Sequence, residues 1–114
     1  MKLADIVDRL VVDPRKLTDY ALDPNNPIGC HKALLFERRL GFTNHNYESL
    51  LQQIESKTLT AEAHLKRTDK HGRHYSVDLE IVGTEGRRAV VRTGWIVAPD
   101  SGEARLVTLY VRRR

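Results

Sequence analysis

The sequence predicts an α+β domain: N-terminal helices packed on a four-stranded antiparallel β-meander. Three observations carry this expectation. Apolar residues recur at helical spacing up to about residue 60 and at a spacing of 2 beyond it. The four later runs are joined by "DKHGR", "GTEG" and "PDSGE", each a short glycine-containing turn suited to a hairpin. Helix punctuation, in turn, occurs only in the first half: Asp13–Pro14 as a start and Gly41 as a stop. A chain of 114 residues, 40% apolar and 30% charged, fits one domain over residues 1–114 with one modest core.

Along the chain, "LADIVDRLVV" suits either a helix or a short strand. In "DPRKLTDYAL", Asp13 is a good N-cap and Pro14 fits the first helical position, with Leu17, Ala21 and Tyr20 turned to the core. "DPNNPIG" is a turn-rich loop. The next helix runs from Cys30 to Leu40, where Ala33, Phe36 and Leu40 form an apolar stripe widened by Leu34 and Leu35. A third helix is expected to start near Asn46 as N-cap and to bury Leu50, Leu51 and Ile54. Among the strands, Ala61, Ala63 and Leu65 alternate with polar residues, as do Tyr75, Val77, Leu79 and Ile81. "RAVVRTGWIV" is apolar on both faces, as a central strand would be, and "ARLVTLYV" is similar.

The composition excludes several classes. No apolar run approaches the ~20 residues of a membrane helix, so no membrane partner is expected. Asp5 and Asp8 interrupt the segment where a signal peptide would be apolar, which reads as a cytoplasmic protein. Cys30 is the single cysteine, so no internal disulfide forms, and its thiol reads as a small, partly buried side chain. The formal charge of +4 is mild, but "EARLVTLYVRRR" carries four arginines against one acid. That basic end suits RNA or an acidic protein, or it simply keeps the C-terminus solvated. Gly-rich phosphate loops, nucleophile elbows and paired-carboxylate signatures are missing from the sequence, which disfavours enzymes of those kinds.

Three stretches can carry chemistry. His31 and Lys32 open a helix, where negative charge is normally preferred. An imidazole can move protons and an ammonium can offset charge developing on a phosphate, although both could equally project into water. In "VVRTGW", Arg92 needs an anionic partner, supplied by a ligand or by Asp78 or Glu80 on a neighbouring strand. Gly94 marks a bulge or a close approach, and Trp95 suits a core position. In "VTLY", Thr108 and Tyr110 share a face, which a neighbouring strand would complete with Thr93 and Trp95. His71 and His74 in "HGRH", with His64, lack the partners of a zinc site and read as a solvated turn; neither metal nor cofactor is expected.

Three motifs in order carry a resemblance: the "HKA" helix start within "VVDPRKLTDYALDPNNPIGCHKALLFERRLGF", the "VRTGWI" strand, and "RLVTLY". Over residues 11 to 111 the chain resembles a small bacterial and phage domain family of unknown function. Related domains sit at the C-termini of phage head-morphogenesis-like and secreted polymorphic toxin proteins. The element order is also similar to the metal-independent ribonuclease fold of barnase, colicin-type tRNases and RelE-like toxins. That resemblance implies a toxin ribonuclease with His31 as general acid or base. Lys32 and Arg92 would then stabilise charge, and Thr93, Thr108 and Tyr110 would orient the RNA. The chain departs from the pattern in two ways. It places no clear glutamate base, and strand alternation sends Arg92 and Thr93 to opposite faces unless Gly94 marks a bulge. The alternatives are a non-catalytic protein-binding module (the antitoxin or immunity half of a pair, or a phage-associated partner) and sequence-independent nucleic-acid binding through the arginine-rich end.

Overall fold

The computed structural model describes residues 1–113; Arg114 of the basic tail lies outside them. A 3-10 turn, Leu3–Asp5, precedes strand β1 (Arg9–Val11) and a π-helical turn, Leu17–Ala21. Helices α1 (Cys30–Leu40) and α2 (Glu48–Lys57) follow. The chain then forms β2 (Ala63–Asp69), β3 (Gly72–Val82), β4 (Arg88–Val97) and β5 (Glu103–Val111).

The sheet has five strands in the order β1-β5-β4-β3-β2, which corrects the expected four. β2 to β5 form the antiparallel meander. The fifth strand comes from the ambiguous N-terminal segment, whose Arg9–Val11 pairs in parallel with Glu103–Arg105. Three residues show no periodicity that a local pattern could reveal, and their partner lies more than ninety positions away.

Helix α1 begins and ends where the sequence places it. Gly41 stops it in the left-handed conformation, φ 74°, and returns its N–H to the Glu37 carbonyl at 2.9 Å. Its buried stripe is Ala33, Phe36 and Leu40, with Leu35 packed alongside, whereas Leu34 is exposed. Full burial of a side chain such as Phe36 stabilises the fold by roughly 1.5–3 kcal/mol. α2 starts at Glu48, two residues after the expected cap. Asn46 instead braces the connection to α1. Its Oδ1 accepts the Thr43 N–H at 2.7 Å and its Nδ2 donates to the Gly41 carbonyl at 3.0 Å. At the far side of α2, the Gln53 side-chain amide pairs with both backbone groups of Val82, at 2.8 and 2.9 Å, and ties the helix to the end of β3.

The helices cover one face of the sheet. Against them lie Tyr75, Val77, Leu79 and Ile81 of β3, then Ala89, Val91, Trp95 and Val97 of β4, with Ala104, Leu106, Leu109 and Val111 of β5. β4 is central in order, yet its second face is open, and Val90 on that face is exposed. β2 runs past the helical layer, which is why Leu65 is 54% exposed despite its place in an alternating pattern. The uncovered face of β3, β4 and β5 is therefore largely polar and open to solvent.

Candidate functional site

Two bulges shape the open face. Between β4 and β5 the register shifts after Gly94, so that Gly94 pairs with Thr108 and Trp95 with Leu106. Val107 is the extra residue, and beyond it Thr108 and Tyr110 turn to the side of Arg92. Thr108 and Tyr110 do share a face, but with Gly94 and Arg92 rather than with Thr93 and Trp95. Between β2 and β3 a second shift passes over Lys66 and sets Arg67 opposite His74.

Across the sheet these registers create rows. Asp78, Arg92 and Tyr110 form one, Ser76, Gly94 and Thr108 the next, and His74 and Ile96 the third. Of these, His74, Ser76, Arg92, Gly94, Thr108 and Tyr110 line a shallow cleft of about 270 Å³, with Lys66 and Arg67 at its β2 side. Gly94 leaves its floor bare; a Cβ there would sit 3.0 Å from Thr108 Cγ2.

Arg92 is bound to Asp78 by two hydrogen bonds, Nε to Oδ1 at 2.8 Å and Nη2 to Oδ2 at 3.0 Å. This is the cross-strand pairing weighed from the sequence, made on the open face and about 29% exposed at both ends. Arg112 adds a third contact to Asp78 Oδ2 at 3.1 Å. The Arg92 hydrogen bonds hold the Asp78 carboxyl below its usual range, and the same pairing raises the arginine.

Lys32 reaches this face around the edge of the sheet. β1 pairs only with the start of β5, so α1 and the π-helical turn pack beside the remainder of that strand. The Lys32 ammonium donates to the Tyr20 hydroxyl and, at 3.1 Å, to Thr108 Oγ1. It also lies over the rings of Tyr20 and Tyr110, 4.6 and 5.8 Å from their centroids. Lys32 lowers the Tyr20 hydroxyl below its ordinary value of 10.0, chiefly through their hydrogen bond. Tyr20 is half-buried and packs against the core as the sequence pattern suggested, while its ring also meets the lysine.

The cleft region thus assembles Lys32, Arg92, Thr108 and Tyr110 of the residues singled out by sequence. His31 is elsewhere: exposed, in a separate groove with Leu34, Phe42 and His45. Successive helical residues are ~100° apart around the axis, so His31 and Lys32 look to different sides. Thr93 is fully buried; its hydroxyl donates to the Val77 carbonyl at 2.8 Å and accepts the Trp95 indole N–H at 2.7 Å. Sequence reasoning missed His74, Ser76 and Lys66. The signal was the alternation of His74, Ser76 and Asp78, which puts all three on the polar side of β3.

Among the described residues no cluster of three or more His, Cys, Asp or Glu is arranged to hold a metal ion, and no helix is long and apolar enough to cross a membrane. The fold is shared with a chain of a solved contact-dependent growth inhibition toxin–immunity protein complex from Klebsiella pneumoniae 342. The two are 22% identical and superpose with a TM-score of 0.69, over 91% of this chain and 94% of that one. A comparison with curated proteins finds no match. Over residues 2–113 the sequence fits one family model from end to end, and the chain belongs to that family, the domain of unknown function DUF6883.

Proposed function

We propose that this domain is a toxin-type ribonuclease that acts without metal and takes an RNA strand in the cleft of the open sheet face. One observation carries the reading: cations and hydroxyls from five elements converge there on a bare glycine floor. Lys32 and Arg92 would offset charge on the phosphate, and the hydroxyls of Thr108 and Tyr110 would hold phosphate or ribose oxygens. Two further basic residues, Arg88 and Arg112, line a groove at its far end where more of the strand could run. Likeness to a chain from a toxin–immunity complex supports a toxin- or immunity-related role and a protein partner.

A test uses a labelled single-stranded RNA in EDTA. Wild-type protein is expected to cut it and leave 2′,3′-cyclic phosphate ends, and its induced expression in a bacterial host is expected to arrest growth. Intact RNA and normal growth from folded protein would overturn the reading. Binding without cleavage would instead favour the module reading, in which the domain is an immunity or antitoxin partner. A specific observation stands behind that second reading: Asp78 already neutralises Arg92, while Val90 and Val107 leave apolar surface exposed nearby.

A further inference from the structure

A cleft that cleaves RNA needs a group able to take up and release a proton near neutral pH. Arginine side chains such as Arg92 stay protonated in proteins, and His31 lies in another groove. On the ribonuclease reading, we infer that His74, oriented by Asp69, is the proton-transfer group of this cleft.

The geometry is that of an oriented imidazole. His74 lines the cleft with 16% of its side chain exposed, and its Nε2 lies 3.0 Å from Asp69 Oδ2. Asp69 is itself held in place. Its Oδ1 accepts the His71 N–H at 2.9 Å, and Arg67 Nε approaches Oδ2 at 3.5 Å. A carboxylate on one ring nitrogen fixes the tautomer, stabilises the imidazolium and leaves the other nitrogen, Nδ1, to face a substrate. Among the described residues no hydrogen bond occupies Nδ1.

Ser76, two residues on and about 7 Å along β3, is 7% exposed and lies in the row of Gly94 and Thr108. A ribose beside His74 would have its phosphate on the side of the row of Ser76, Gly94 and Thr108, with Arg92 one row beyond. The charged groups on the His74 side of the cleft are Lys66, Arg67 and Asp69 from β2, and Arg92 of β4 lines the same cleft two rows away.

In the step, the 2′-oxygen forms a bond to the adjacent phosphorus as its proton passes to His74 Nδ1. The bond from phosphorus to the 5′-oxygen breaks, and that oxygen takes a proton from water. The proton later released by His74 neutralises the hydroxide. The products are a 2′,3′-cyclic phosphate and a 5′-hydroxyl, with no change of oxidation state.

The experiment compares RNA cleavage in EDTA by wild type, His74→Ala, His74→Gln, His31→Ala, Asp69→Asn and Asp69→Glu. Affinity is read from fluorescence anisotropy with an uncleavable 2′-deoxy analogue, and folding from circular dichroism. Expected for both His74 variants is a loss of about 10²–10⁴-fold in rate with near-normal affinity and melting. His31→Ala should cut as wild type does. Asp69→Asn should slow cleavage with near-normal affinity for the uncleavable analogue, and Asp69→Glu, which keeps a carboxylate, should recover part of the rate. A folded Asp69→Glu variant no faster than Asp69→Asn would overturn its positioning role. Wild-type-like cleavage by folded His74→Ala or His74→Gln would overturn the assignment while leaving the ribonuclease reading standing. An inactive wild type would remove both.

Discussion

Replacing Thr93 with valine keeps the shape of the side chain and removes only its hydroxyl. The site is fully buried, and the hydroxyl connects two groups, the Val77 carbonyl at 2.8 Å and the Trp95 indole N–H at 2.7 Å. Trp95 is 1% exposed, so its N–H would be left without a partner or water at a cost of about 1–3 kcal/mol. Val77 also pairs with Ala63 and Thr93 in the strand ladder, so its carbonyl adds less, about 0.5–1 kcal/mol. The sum is about 1.5–4 kcal/mol against a total stability on the order of 5–15 kcal/mol. At ~4 °C per kcal/mol for a domain of this size, the melting temperature should fall by about 6–16 °C. Trp95 is the single tryptophan, so its fluorescence in a urea titration reports the transition directly. The midpoint should drop with little change in slope. Thr93→Ser retains the hydroxyl and should lose only about 1 kcal/mol for the methyl. A Thr93→Val protein as stable as wild type, or a serine variant as weak as the valine one, would refute the bridging role.

Three further outcomes are expected. Asp78→Asn should flatten the acid limb of the stability curve. The Arg92 hydrogen bonds depress the folded-state Asp78 value, so its contribution is complete above the unfolded value of 3.8 and is lost as pH falls through the lower folded value; urea midpoints measured from neutral pH down to about 2 would show the difference. Gly94→Val should fill the cleft floor and press on Thr108. RNA affinity is expected to fall at least tenfold with the fold retained, and unchanged affinity would mean that the strand lies elsewhere. Lys32→Met should return the Tyr20 hydroxyl towards 10.0, seen as a later onset of tyrosinate absorbance in an alkaline titration; an unmoved titration would disprove the contact.

What could be read from the sequence was what depends on neighbours along the chain. Both bounds of α1 follow from a local stripe and a left-handed glycine, and the hairpins follow from alternation and turn composition. What could not be read depends on pairing across the sheet. The register of β5 on β4 decides whether Thr108 and Tyr110 meet Trp95 or Arg92, and a single extra residue, Val107, reverses the answer. β1 is hidden for the same reason, since its only support is a distant strand. The lysine at the start of α1 was puzzling only against the helix dipole. Its ammonium is held by Tyr20, Thr108 and two aromatic faces, which together outweigh a surface effect of 0.3–1 kcal/mol.

The distribution of charge around the cleft gives the arrangement its chemical sense. Cations gathered on one sheet face repel one another and would spread into solvent if nothing held them. Here Asp78 fixes Arg92 and Arg112, and Asp69 fixes His74 with Arg67 close by. Each carboxylate thus orients a basic group before any anion arrives, so that little reorganisation is needed when a phosphate does. Neither carboxylate cancels the field, because Lys32 and Lys66 are bound to no acidic side chain among the described residues. The helices cover only the opposite face, and the two bulges turn the polar side chains towards one floor. On the proposed reading, the open face brings an imidazole held by a carboxylate together with fixed positive charge, so that proton transfer and phosphate binding would occur on one surface.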